Sequence, residues 1–405
     1  MRTASQLANP GGVAYDVCSK PQQTFEHTLE LMKLRVCQII PTLVQGGAEK
    51  QMSLLARYLN SDEFESHVVV LTHSGVLEDE LRVSGVNLHF IEKRGKLDVG
   101  AYRRLKRKLR EIKPDVVHTW LFAANSYGRQ AAKSVGVPVI IAGERCVDPW
   151  KQWWHHRIDR HLLKSTARMT TNTNAVVDFY QKQGIPSDRF TVIPNAVVKE
   201  SGADRRLARD DFFERLKLEP RKHIIGAVGR LWKQKGYQDL IWAAELIRAV
   251  NEDAWFVIVG DGPEREQLQK FRDQIDGQHI VKFLGHRSDA AELMQCFDVL
   301  WNGSLYEGQS NTILEAMATG VPVLASDIPG NRDLIENERT GILYPLGDVE
   351  TLSRQTLVLL QNESTRIELG DNAKHRIQED FSLAKMVNRY SQLYRELYEK
   401  KKVAR

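Results

Sequence analysis

Tyr306-Glu307-Gly308-Gln309-Ser310-Asn311-Thr312-Ile313-Leu314-Glu315-Ala316-Met317-Ala318-Thr319-Gly320-Val321-Pro322 is the stretch whose reading organises the rest of the chain. The apolar run Val299–Trp301 precedes it and Pro322–Ala325 follows, so the segment reads strand, loop, helix, strand. Glu307 falls in the loop after the first strand. Gly308 lets the chain turn there, and Ser310, Asn311 and Thr312 open the helix. The first N–H groups of a helix have no intrahelical partners, so that helix start can receive an anion. Glu315 lies just over one turn further in. Two glutamates eight positions apart mean little alone, but Glu-Gly…Ser-Asn…Glu-Ala-Met-Ala…Gly-x-Pro is a highly specific string.

The same alternation extends outward in both directions. Upstream, short strands are expected at Leu34–Ile40, His67–Thr72, Asn87–Ile91, Asp115–His118, Val137–Ala142, Met169–Thr171 and Phe190–Ile193, with helices such as Ala48–Leu59, Val99–Ile112 and Phe122–Ser134 between them. A second series follows a polar, charge-rich passage at 199–222: His223–Val228, Trp255–Val259, Ile280–Phe283, Val299–Trp301, Pro322–Ala325 and Gly341–Leu343. Strands that alternate with helices form parallel sheets covered on both faces. At 405 residues, two such α/β lobes are expected. Their boundaries read as a loose extension at 1–33, a first lobe at 34–198, a linker at 199–222, a second lobe at 223–380 and a final helix at 381–405. That last helix is marked by Val387, Tyr390, Leu393 and Leu397 at helical spacing.

Open parallel sheets bind ligands at the carboxyl ends of their strands. Gly46-Gly47 follows the first strand and precedes a helix, where backbone N–H groups can approach a phosphate. Gly229-Arg230-Leu231-Trp232-Lys233-Gln234-Lys235-Gly236 opens the second lobe in the equivalent place. The guanidinium of Arg230 and the ammonium of Lys235 suit a diphosphate and the charge that grows as it leaves. Gly260-Asp261-Gly262-Pro263-Glu264-Arg265 begins like a dinucleotide fingerprint, but Arg265 stands at the third glycine position, which argues against a nicotinamide site.

The chain resembles the retaining glycosyltransferases of family 4, which have the GT-B fold. The matching pieces are Gly46-Gly47-Ala48-Glu49, Asp115-Val116-Val117-His118, Ile193-Pro194-Asn195, Gly229-Arg230…Lys235-Gly236, Gly260-Asp261-Gly262-Pro263, Phe283-Leu284-Gly285 and Glu307-x7-Glu315, in family order from residue 34 to about 345. The resemblance implies a nucleotide-sugar donor held by the second lobe and an acceptor held by the first. It also implies roles: Glu307 on the donor sugar's hydroxyls, Glu315 on the ribose, and Arg230 and Lys235 on the diphosphate. The amides of Gly47 and of Ser310–Thr312 would help, and His118 would face the donor sugar from the first lobe. Many relatives carry a second histidine where this chain has Trp120, and an apolar residue where it has Gln309. A same-face transfer, with the leaving phosphate taking the acceptor's proton, is likewise what the family implies. No Asp-x-Asp triplet occurs, so no metal ion or other cofactor is expected.

The composition, 42% hydrophobic and 27% charged, is that of a globular chain, without an apolar run long enough to span a bilayer. The first 33 residues lack the apolar core of a secretory signal, and Cys18, Cys37, Cys146 and Cys296 are too scattered for a metal or disulfide framework. A cytoplasmic protein is expected. Residues 93–113 carry ten Lys/Arg against Asp98 and Glu111, a net +8 within a chain whose total is +5. Val99, Tyr102, Leu105, Leu109 and Ile112 would form the buried stripe of that helix, leaving the cations outward. Two readings stand: a solvated outer helix, or contact with anionic lipid at the inner face of a membrane, which would suit a lipid-linked acceptor. Trp150, Trp153 and Trp154 suggest an interfacial or acceptor-binding segment, with a buried helix as the rival. Nucleic acid is a poorer partner, because no aromatic recognition motif accompanies the basic segment. The competing functions are an oxidoreductase and a nucleotide-sugar-binding protein or epimerase of the same two-lobed shape.

Overall fold

The computed structural model describes residues 33–95, 97–198 and 207–403. The expected extension at 1–33 therefore lies, apart from Lys33, outside the described residues, as do Lys96 of the basic segment and 199–206 of the linker.

Among the described residues thirteen strands occur, each where a strand is expected and most with bounds moved by one to three residues. In the first lobe these are β1 (Leu34–Thr42), β2 (Phe64–His73), β3 (Asn87–Phe90), β4 (Val116–Trp120), β5 (Val139–Gly143), β6 (Arg168–Thr171) and β7 (Phe190–Val192). All pair in parallel, in the order β3-β2-β1-β4-β5-β6-β7. The second lobe holds β8 (His223–Val228), β9 (Ala254–Val259), β10 (Val281–Gly285), β11 (Val299–Asn302), β12 (Val323–Ser326) and β13 (Ile342–Tyr344), again parallel, in the order β10-β9-β8-β11-β12-β13. Helices cover both faces of each sheet, so central strands lose their alternation: Val36, Cys37, Ile39 and Ile40 of β1 are all fully buried. Both sheets reverse strand order beside their first strand, between β1 and β4 and between β8 and β11. Such a switch point opens a crevice at the strands' carboxyl ends.

Within the 199–222 passage, Arg209–Leu216 is helical, and Phe212 and Phe213 enter the second lobe's core. The tail forms three helices, Val349–Gln361, Glu363–Asp380 and Leu383–Val403. The last of them packs Met386, Val387, Tyr390, Leu393 and Tyr394 into the core of the first lobe, so the chain returns to where it began.

The basic helix spans Val99–Ile112, with Asp98 as its N-cap. Its buried stripe is Ala101, Leu105, Leu109 and Ile112; Val99, expected in it, is 64% exposed because it sits in the first turn, beyond the sheet edge. Nor do all the cations point outward. Arg104 donates to the carbonyls of Ile91 and Glu92, Lys108 pairs with Glu111, and Lys93 lies 4.8 Å from the Tyr127 ring. Arg94, Arg103, Arg107 and Arg110 are exposed. Among the described residues no helix is long and apolar enough to cross a membrane.

Candidate active site

Two glycines bring the relevant loops together. Gly236 has φ +62°, and a Cβ there would lie 2.1 Å from the Gly303 carbonyl oxygen, so only glycine lets the loop after β8 touch the loop after β11. That contact sets Lys235 against Glu307, and the two form an ion pair with side chains 22% and 10% exposed. Glu307 also accepts from Ser304 Oγ at 2.9 Å, with Gln234 Nε2 at 3.4 Å. Gly308 performs the second approach: a Cβ there would lie 2.1 Å from the Arg145 carbonyl oxygen, so the second lobe's loop meets the segment after β5.

Arg230 is exposed, its guanidinium 4.6 Å from the Trp232 ring. Its charge reaches Glu49 in the opposite lobe. Burial pushes the Glu49 carboxyl above the usual range, while its own backbone N–H, Thr42 and Arg230 pull the other way. Glu49 occupies the start of the Gly47–Tyr58 helix, where a Cβ on Gly46 would meet its Oε2 at 2.2 Å. The glycine pair read as a phosphate cradle thus already carries a carboxylate beside it, and Gly47 remains exposed.

The helix opened by Ser310 faces this helix across the lobes. Asn311 donates to the Gly47 carbonyl at 3.1 Å and accepts from Asn195 at 2.8 Å. Ser310 accepts from Asn302 at 3.2 Å, and Thr312 donates to the Val228 carbonyl at 3.3 Å. These three side chains fasten the helix start, whose first-turn N–H groups have no partners within the helix. Glu315 is bridged from the first lobe by Lys50 at 2.6 Å. Gln309 is 8% exposed, and its Oε1 accepts from the Asn195 amide at 2.8 Å. A polar residue at this position is therefore a lobe-to-lobe tie.

His118 requires a correction. It is fully buried, with Nδ1 2.8 Å from Tyr394 Oη and Nε2 3.0 Å from Thr170 Oγ1. Trp120 and Tyr390 also pack against the ring. Burial, and then the charge of Arg145, hold the imidazole well below its ordinary pKa, so it stays neutral. It joins the sheet to the final helix and does not line the cleft.

Sequence reasoning passed over Arg145. Only 7% exposed, it binds Asn195 and Tyr390 Oη and lies 5.2 Å from the Trp120 ring. Its position just past β5 was the available signal. Lys50 and Gln51 were missed as well, because their partners Glu315 and Asn311 are more than 250 residues away. The described residues contain no group of three His, Cys, Asp or Glu side chains able to hold a metal ion. No disulfide joins Cys37, Cys146 and Cys296 to one another, and Cys18 lies outside the described residues.

Two Rossmann-like lobes with parallel sheets of this order, and with cations and carboxylates at their strand ends, make up the GT-B fold. The family model described as "Glycosyltransferase Family 4" matches residues 45–200, and that described as "Glycosyl transferases group 1" matches 208–376. A GDP-mannose-dependent alpha-mannosyltransferase of Mycobacterium tuberculosis is 30% identical over 316 residues, 73% of this chain and 77% of the relative. An Escherichia coli UDP-Gal:alpha-D-GlcNAc-diphosphoundecaprenol alpha-1,3-galactosyltransferase is 27% identical over 382 residues, covering 90% and 96%. Anabaena HepE in complex with UDP-glucose shares the fold, with a TM-score of 0.79 over 90% of this chain and all of that one, at 19% identity. The chain belongs to glycosyltransferase family 4, and it is a glycosyltransferase that uses a nucleotide-sugar donor.

Proposed function

We propose that the chain transfers a hexose from a UDP- or GDP-sugar to a carbohydrate or lipid-linked acceptor, with retention of configuration and without a metal ion. The observation that carries this reading is the Lys235–Glu307 pair, which ties the loop after β8 to the loop after β11, the two strands that flank the second lobe's switch point. In this reading the diphosphate takes Lys235 and Arg230 together with the first-turn amides at Ser310–Thr312, and Glu307, relieved of its lysine, receives the donor sugar's hydroxyls. Glu315 exchanges Lys50 for the ribose. His118 supports the first lobe and touches no substrate.

In the transfer, the bond from C1 of the sugar to the phosphate oxygen breaks while a bond to the acceptor oxygen forms on the same face. The acceptor's proton passes to the leaving phosphate. Cationic side chains and helix-start N–H groups can stabilise the charge that collects on that phosphate. The exposed Arg94, Arg103, Arg107 and Arg110 favour a protein peripheral to an anionic membrane on its cytoplasmic side, where a lipid-linked acceptor would be concentrated.

A panel of UDP- and GDP-sugars, read out by released nucleotide with and without EDTA, tests the proposal. Release from at least one donor, unchanged by EDTA, is expected. No release from any donor would refute the donor assignment. Complete loss in EDTA restored by Mg²⁺ or Mn²⁺ would refute the metal-free form.

A further inference from the structure

The segment 144–152, which leaves β5 at its carboxyl end, combines deep anchoring with an exposed aromatic surface. Its anchor is Lys151, whose ammonium is fully buried among Glu144 (3.2 Å), Asp159 (3.4 Å) and Asp148 (3.4 Å). Asp159 is also paired with the buried Arg129. Three carboxylates and two cations in so dry a place are a poor device for stability, since desolvation offsets most of their attraction. What such a network does well is hold a loop in one geometry.

The geometry held is specific. Asp148 accepts from Tyr180 Oη at 2.8 Å on one oxygen and from Trp150 Nε1 at 3.0 Å on the other, and it remains 17% exposed. Trp150 is 54% exposed and packs edge-on against Phe122, with ring centroids 6.0 Å apart. The His155 ring meets it at 5.3 Å, again at a steep angle, so two rings hold the indole while more than half of the residue stays open to solvent. The same segment reaches the reaction centre: Gln234 Nε2 lies 3.8 Å from Cys146 Sγ and 3.4 Å from Glu307. Burial first, and then the charges of Glu307 and Asp148, push the Cys146 thiol up, and the same two charges act on the Tyr306 phenol.

On the reading of the cleft proposed above, we infer that this segment is the acceptor subsite: the Trp150 indole stacks on the C–H face of an acceptor pyranose while the Asp148 carboxylate accepts one of its hydroxyls. A sugar ring has an apolar C–H face and a polar rim. An exposed indole beside a part-exposed carboxylate with remaining acceptor capacity matches both. Asp148 is already oriented by Tyr180 and Trp150, so binding a sugar requires little reordering.

Saturation-transfer NMR on the full chain, with UDP and GDP both present in excess and again without nucleotide, provides the test. The probes are the octyl α-glycosides of glucose, galactose, mannose and N-acetylglucosamine. Ring protons of at least one probe are expected to receive saturation, falling at least tenfold in Trp150→Ala and in Asp148→Ala. Nucleotide binding and melting temperature should stay near wild type in Trp150→Ala, whose side chain is largely outside the core. The subsite is overturned if the ring protons of all four probes are silent, or if the ring signal survives both substitutions. It is also overturned if Trp150→Ala weakens only octyl-chain saturation or binding to phosphatidylglycerol vesicles, which would assign the tryptophan to a lipid surface. Failure of the wild-type chain to bind either nucleotide would instead strike the donor assignment.

Discussion

Replacing Lys235 by Ala separates a role in transfer from a role in folding. In the unliganded chain the lysine neutralises Glu307, whose side chain is 10% exposed, but Glu307 keeps Ser304 Oγ at 2.9 Å and Gln234 Nε2 at 3.4 Å. The carboxylate is therefore not orphaned. The loss of stability should fall between that of an exposed pair, at most about 1 kcal/mol, and that of a broken buried pair, about 3–5 kcal/mol. A value of about 1–2 kcal/mol corresponds to a melting shift of roughly 1–3 °C for a chain of this size. Transfer is a different matter. If the ammonium stabilises charge growing on the leaving diphosphate, its removal should lower kcat by roughly 10²–10³, about 3–4 kcal/mol. The assay is nucleotide release at saturating donor, paired with thermal unfolding. A kcat within threefold of wild type would refute the reasoning. So would a collapse of the fold large enough to account for the lost activity.

The other expectations rest on separate observations. Glu315→Ala should raise the Kd for nucleotide at least tenfold in calorimetry, about 1.4 kcal/mol. Lys50→Met, which removes the residue bridging Glu315 at 2.6 Å, should leave that Kd unchanged or tighter; a tenfold weaker Kd would place Lys50 on the nucleotide itself. His118 is held neutral in the fold, so its unfolded imidazole takes up a proton the native one refuses; stability should fall as pH drops below about 6.5. His118→Gln should flatten the pH dependence of the urea midpoint between pH 7 and pH 5, and an unaltered slope would contradict the assignment. Arg103, Arg107 and Arg110 changed together to Gln should abolish binding to anionic vesicles without altering donor hydrolysis. Wild-type binding should weaken with salt, since exposed charges are screened over about 10 Å at 0.1 M. If the wild-type chain ignores such vesicles at low salt, the helix is a solvated face.

Much of the fold was legible because β-branched runs and helical spacing are local signals, and both lobes obey them from β1 to β13. The loops that carry Arg230, Lys235 and Glu307 were legible as loops, since each follows directly on a strand. What could not be read was which face of a fully covered strand meets the cleft. Val116, Val117, His118, Thr119 and Trp120 are all buried, so no alternation distinguishes them. The enclosure of His118 comes from Tyr390 and Tyr394, on a helix more than 270 residues later. The final helix shows apolar spacing, but spacing does not name the lobe that receives it. Likewise the count of ten cations in 93–113 was correct. The carbonyls that engage Arg104, and the carboxylate that engages Lys108, emerge only from the folded neighbourhood.

The central claim is that the nucleotide diphosphate lies between the loop after β8 and the start of the Asn311–Thr319 helix. A crystal structure of the chain with UDP or GDP bound measures this directly. Phosphate oxygens are expected within hydrogen-bond distance of Arg230, Lys235 and the first-turn amides, with the ribose on Glu315 and no metal ion between phosphate and protein. A diphosphate seated elsewhere, with the Lys235–Glu307 and Lys50–Glu315 pairs both intact, would contradict it.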